Sequence, residues 1–201
     1  MATLFSSLNN MINLEKKSFS VAAISILFNP IFWNYIARQE YRSKCLTKLA
    51  GGNSRLACYL LGLTIFSLGI IRDLLYERAI REQPALSSLM TPLFKILSYC
   101  LLAAGNILVF SSIWALGITG TYLGDYFGIL MENVVTGFPF NITSAPMYYG
   151  STMNFLGTAI YFGKPAGILL TLEVLTVYLI ALRFEDPFTR EIYAKRDLKK
   201  K

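Results

Sequence analysis

Charge is missing from three long stretches of this chain, and that absence limits the fold more than any motif does. Ser18–Ala37 has no charged residue before Arg38, Leu56–Ile71 has none between Arg55 and Arg72, and Ile96–Gly124 has none before Asp125. A fourth apolar run follows Pro165 and is interrupted only by Glu173 before Arg183. A helix crossing the hydrocarbon core of a bilayer needs roughly 20 predominantly apolar residues. The runs fit that length, the second with help from arginines at both ends that can snorkel. With 54% apolar residues and a mean hydropathy of +0.48, the chain is read as an all-α integral membrane protein.

The expected frame has three transmembrane helices, an N-terminal intramembrane helix and a short interfacial helix. The first element is interrupted by Asn29-Pro30 and Asn34, so it either spans with a kink or dips in and returns. Trp33 and Tyr35 are read as interface anchors. A helix of about 22 residues from Leu93 crosses next, loosened at Gly117 and Gly120. The glycine- and proline-rich segment Asp125–Gly163 is expected to hug the membrane, with the short helix over about Met147–Phe162. Pro165 suits the first turn of the last helix, which should stop near Arg183. The whole chain, 1–201, is read as one domain, with a polar lead at 1–17 and a basic tail at 195–201 that should fray.

Lysine and arginine are absent from Gly117–Gly163 and present in both the Asp73–Lys95 connection and the tail. The positive-inside rule therefore puts that connection and the C-terminus in the cytosol, leaving the basic stretch Arg38–Arg55 on the wrong side. There is no histidine, which excludes Ser-His-Asp and Cys-His chemistry and removes the commonest metal ligand. The three cysteines lack metal or disulfide spacing, so no metal is expected.

Five features are candidates for chemistry. Glu185 and Asp186 are adjacent carboxylates at the water boundary of the last apolar run, where acids oppose the dipole of a helix C-terminus. Ala103-Ala104-Gly105 is a small-residue patch that permits close approach by a ligand, or by a neighbouring helix. Asp125 lies among glycines with Tyr122 and Tyr126, a set that could hold a cation or form an interfacial aromatic belt. Tyr148 opens the short helix, and Glu173 is an ionisable group within a span.

Phe28-Asn29-Pro30-Ile31-Phe32-Trp33-Asn34, Gly120 to Leu130, Phe138-Pro139-Phe140-Asn141, Pro146-Met147-Tyr148 with Gly150-Ser151-Thr152, and Glu185-Asp186-Pro187-Phe188-Thr189 with Ile192-Tyr193 together resemble one family. It is the phosphatidylethanolamine and phosphatidyl-N-methylethanolamine N-methyltransferases, and the similarity runs from about Phe19 to Arg196. Gly51-Gly52, Arg81-Glu82-Gln83-Pro84 and Gly163-Lys164-Pro165-Ala166-Gly167 look more like the fungal type. The resemblance implies a phospholipid substrate in the endoplasmic reticulum or mitochondrial membrane, no nucleic acid partner, and S-adenosylmethionine as methyl donor. It implies that monomethyl and dimethyl phosphatidylethanolamine are converted to phosphatidylcholine. The alternatives are activity on phosphatidylethanolamine itself, or a non-enzymatic relative with a decayed donor site.

The resemblance also implies a donor site in two halves. A family Gly-x-Gly maps to Ala103, Ala104 and Gly105, with alanine in place of the first glycine. An acidic pair maps to Glu185 and Asp186. Asp125 and Glu185 are the candidate bases for the amine proton, and Tyr122, Tyr126 and Tyr148 are the candidate contacts to substrate. Where Glu173 falls, the family is expected to be apolar.

Overall fold

The computed structural model describes residues 11–198; positions 1–10 of the polar lead and 199–201 of the tail lie outside it. The elements are α1 (Lys17–Ser43), α2 (Cys45–Leu49), α3 (Ser54–Arg81), α4 (Pro92–Thr121), α5 (Pro146–Tyr161) and α6 (Pro165–Leu198), with 3-10 turns at Ser87–Leu89 and Gly124–Phe127. There is no strand among the described residues. Four helices, α1, α3, α4 and α6, are long and apolar enough to cross a membrane.

Local chemistry sets most boundaries. Gly51 and Gly52 take positive φ, and the Asn53 side chain then accepts a hydrogen bond from the Leu56 N–H to start α3. Proline opens α4, α5 and α6, where its missing N–H costs nothing. Gly117, with φ 66°, breaks α4 where the loosening was expected. Glu40, in the last turn of α1, is fully buried and caps the start of α2. Its carboxylate accepts from the backbone N–H groups of Leu46 (2.7 Å) and Thr47 (3.3 Å) and from the Thr47 hydroxyl.

The first element is one continuous helix of 27 residues, about 40 Å long. The amide N–H groups of its two asparagines find internal acceptors: Asn29 Nδ2 donates to the Leu68 carbonyl of α3 at 3.2 Å, and Asn34 Nδ2 donates to the Pro30 carbonyl at 3.1 Å. An N-terminal helix of spanning length is thus compatible with the Asn-Pro break.

Two expectations change. The short helix does not lie flat on the interface. α5 runs antiparallel along α4 inside the bundle, with Gly150 against Gly105, the Ser98 hydroxyl donating to the Gly157 carbonyl at 2.8 Å, and Tyr99 packed on Tyr161. Glycines on both helices allow that approach. The last helix does not stop at Arg183 either. It continues through Pro187 to Leu198, so residues 195–198 are helical rather than frayed.

A third expectation fails as a consequence. α6 starts beside the α3–α4 connection, where the Leu86 N–H donates to the Gly163 carbonyl (2.8 Å) and Lys164 Nζ donates to the Gln83 carbonyl (2.5 Å). It ends beside the other side of the bundle, where Arg38 and Met131 meet it. The 82–92 connection and the C-terminal segment therefore sit at opposite ends of the bundle, not on one side. The segment Arg38–Arg55 shares its end with the C-terminus.

Along the bundle, α1 packs between α3 and α6, and α5 packs between α4 and α6. Tyr76 ties three helices together, donating toward the backbone carbonyls of Phe155 (2.8 Å) and Gly167 (3.2 Å).

Candidate active site

Glu185 projects from α6 into a nest of donors supplied by two other helices. Its Oε1 accepts from Trp33 Nε1 at 2.8 Å and Asn34 Nδ2 at 2.6 Å, both on α1. Its Oε2 accepts from the Tyr148 hydroxyl at 2.6 Å, in the first turn of α5. The Tyr148 ring lies 4.6 Å from that of Tyr178 and 6.4 Å from that of Trp33, between centroids. One carboxylate therefore meets two aromatic side chains, with Tyr178 packed on both of them, an arrangement suited to a cation. Tyr178 is held in turn by Arg72, whose Nη1 donates to its hydroxyl at 2.6 Å. Arg72 is buried, and Asp73 pairs with it at 2.9 Å. The arginine that ends the second apolar run of the sequence anchors the back of the aromatic wall.

One turn further along α6 stands a second acid. Asp125, in the 3-10 turn after α4, accepts from the Thr189 hydroxyl at 2.9 Å and from the Tyr126 N–H at 3.1 Å. The Tyr126 ring is fully buried and stacks on Phe188 at 5.1 Å, and its hydroxyl has no partner among the described residues. Asn34 Oδ1 is also buried and unpartnered. Polar atoms buried without partners are uncommon, and each calls for an explanation.

Pro187 falls within the helix between these two levels. Proline cannot donate to the carbonyl four residues earlier, here Arg183. The neighbouring Phe184 carbonyl instead accepts a hydrogen bond from Arg38 Nη2 at 2.7 Å. The local irregularity of α6 thus coincides with the acidic pair.

The expected residues divide into those this site gathers and those it leaves apart. Glu185, Tyr148, Tyr126 and Asp125 converge on the end of the bundle where α1, α6 and the 3-10 turn meet. Asp186 is half-buried beside them and makes no hydrogen bond among the described residues. Tyr122 turns elsewhere. Its ring packs on Gly62 of α3, and its carbonyl accepts from Cys58 Sγ at 3.5 Å.

Ala103-Ala104-Gly105 is also apart. Ala103 is exposed, and Gly105 is buried against α5, where an added Cβ would meet Asn154 Oδ1 and come 2.6 Å from the Gly150 carbonyl. α5 therefore stands between this patch and Glu185. Glu173 is half-buried in α6 without a hydrogen bond among the described residues. Trp33, Asn34, Tyr178 and Thr189 join the site through packing alone. The one signal available was an amide and an indole side by side in an otherwise apolar run.

A family model described as phospholipid methyltransferase matches residues 93–196. The chain is 62% identical to the phosphatidyl-N-methylethanolamine N-methyltransferase of Neurospora crassa over 94% of this chain and 88% of that one. It is 52% identical to the protein of that name in Saccharomyces cerevisiae, over 98% and 96%. It is 49% identical to human phosphatidylethanolamine N-methyltransferase, over 89% of each chain.

The chain belongs to the phospholipid methyltransferase family.

No solved structure matches it. The family match begins at α4 and holds the acids, Tyr126 and Tyr148, while Trp33, Asn34 and Arg38 lie on α1 outside it. In this phospholipid methyltransferase, then, the helix before the matched region supplies two of the three hydrogen bonds to Glu185.

Proposed function

We propose that this protein transfers methyl groups from S-adenosylmethionine to the amine of phosphatidyl-N-methylethanolamine and of its dimethyl product, giving phosphatidylcholine. The whole chain acts as one membrane methyltransferase domain. The observation that carries the reading is the Glu185 carboxylate held by Trp33 and Tyr148, with Tyr178 packed on those rings and a second acid, Asp125, one helical turn away. A sulfonium and a lipid ammonium are both cations, and acids beside aromatic faces favour both.

Glu185 and Asp186 suit the donor: Glu185 already accepts three hydrogen bonds, so it can exchange internal donors for hydroxyl or ammonium donors. Ala103, Ala104 and Gly105 fit a direct donor contact poorly, because α5 occupies the space against Gly105. Their support to the site passes through α5, which carries Tyr148. When bound, the donor supplies an electrophilic methyl group on a positively charged sulfur. Trp33 and Asn34 fix the orientation of the Glu185 carboxylate, and positioning of this kind supplies much of the gain in a displacement. Asp125 accepts the amine proton, as the chain has no histidine to do so. Tyr126 and Tyr148 flank the amine.

The same reading orients the molecule. The end formed by residues 38–55 and 183–198 holds nine lysines and arginines, against six in residues 13–18, 77–95 and 163–165 at the other end. The positive-inside rule puts the first end, with the acids and the C-terminus, in the cytosol, where a soluble donor arrives. Arg38–Arg55 then obeys the rule instead of violating it. Endoplasmic reticulum or mitochondrial membrane is the expected home.

Membranes carrying the protein, given methyl-labelled S-adenosylmethionine and the monomethyl lipid, should form labelled phosphatidylcholine. Unlabelled lipid after full incubation would overturn the reading. Running phosphatidylethanolamine in parallel decides whether the first methylation is catalysed as well.

A further inference from the structure

The substrate proposed above is a zwitterion, with a phosphodiester joined to the amine through a two-carbon bridge. The acids and aromatic rings already described answer only cations, the donor's sulfonium and the lipid's amine. A site selective for a phospholipid over a free amine also needs a cation close to those acids, and the structure holds one that the catalytic reading leaves unused.

Arg38 lies four residues after Asn34 on α1, on the same helical face and about 6 Å along the axis. Its guanidinium is fixed at two points. Nη2 donates to the Phe184 carbonyl at 2.7 Å, and Cζ stands 4.5 Å from the centre of the Phe188 ring. It is therefore held between the residue before Glu185 and the ring that stacks on Tyr126. Arg38 makes no ion pair among the described residues, and neither Nε nor Nη1 makes a hydrogen bond among them. It is half-buried rather than enclosed. A guanidinium pinned at one nitrogen and on one face, with the rest of its fork unused, is preorganised for an oxyanion.

We infer that Arg38 is the phosphate-binding residue of the lipid headgroup, so that the site matches the zwitterion with Asp125 toward the amine and Arg38 toward the phosphodiester. The inference rests on the methyltransferase reading. Its spacing follows from α1: Asn34 orients the Glu185 carboxylate beside the amine's place, and one turn nearer the end of the bundle Arg38 meets the anion. The donor's own carboxylate has the same chemistry as a phosphate oxygen, and the experiment separates the two.

The test uses wild type, Arg38→Gln and Arg38→Lys in mixed micelles, with lipid KM measured at saturating donor and donor affinity measured by equilibrium binding. Arg38→Gln should raise the KM for the monomethyl lipid by about tenfold or more, with the donor Kd within about twofold. Arg38→Lys, which keeps charge but not the fork, should fall between the two. In the wild-type enzyme, glycerophosphocholine should compete with the lipid whereas choline at equal concentration should not, a result that needs no variant to fold. An unchanged lipid KM, or a donor Kd that weakens while lipid KM holds, overturns the inference. So does equal inhibition by choline. A wild type that transfers no methyl group to any lipid instead overturns the methyltransferase reading, and the donor-binding arm distinguishes the two failures.

Discussion

The Tyr126 hydroxyl is buried beside Phe188 with no partner among the described residues, so deleting it removes no hydrogen bond from the fold. Tyr126→Phe should leave the unfolding temperature unchanged or raise it, since an unsatisfied buried polar group costs about 1–3 kcal/mol. If the hydroxyl meets the substrate amine, kcat/KM for the lipid should fall about tenfold in the same variant. A drop in stability without a change in kcat/KM would make Tyr126 structural only. Asp186 differs from Glu185 at this scale, having no hydrogen bond among the described residues. Asp186→Ala should therefore weaken donor binding less than Glu185→Ala does, as read by equilibrium binding; the reverse order would contradict the geometry. The acidic pair stood out in the sequence because two carboxylates at an apolar boundary are conspicuous. Trp33 and Asn34 were conspicuous only as an interface anchor and an interruption of the first run, because nothing in their spacing ties them to the acids. Their partner is about 150 residues away, and only packing of α1 on α6 joins them.

Helix α5 determines how the two small-residue patches act. Gly105 and Gly150 put backbone against backbone, and an added Cβ at either one would come within 2.7 Å of the other's carbonyl oxygen. Gly105→Ala should therefore separate α4 from α5 at a cost of about 1–3 kcal/mol and lower activity through displaced Tyr148. Ala103→Gly, at an exposed position, should change donor affinity little. Thermal unfolding together with donor binding checks both. A large gain in donor affinity for Ala103→Gly would restore a direct role for that patch. The helix starts were legible from the charge-free runs and from Pro165, but the ends were not: α3 runs on to Arg81 and α6 to Leu198, well past Ile71 and Arg183 where charge returns. α5 was legible as a helix but not as a member of the bundle. At 16 residues, about 24 Å, it is short for the roughly 30 Å hydrocarbon core, and its glycine-rich face resembles a loop until a partner helix is known.

That one helix changes the topology of the whole molecule. Counting α5 as a surface element makes the number of passes after the 82–92 connection even, which returns the C-terminus to the same side. Counting it as a pass puts the two at opposite ends, as the contacts Lys164–Gln83 and Arg38–Phe184 require. Single cysteines placed at Ser88 and at Ala194 of a cysteine-free background should label from opposite faces of sealed vesicles. Labelling from one face would contradict the arrangement. The acids, Arg38 and the segments 38–55 and 183–198 lie at one end of the bundle, and the proposed chemistry needs donor and headgroup to meet at that end. The most direct test of this account is transfer of labelled methyl from S-adenosylmethionine to the monomethyl lipid by wild type and by Glu185→Gln, in membranes containing equal amounts of each. Labelled phosphatidylcholine from wild type with about a hundredfold less from the variant is the predicted result, and equal rates would contradict a site built around Glu185.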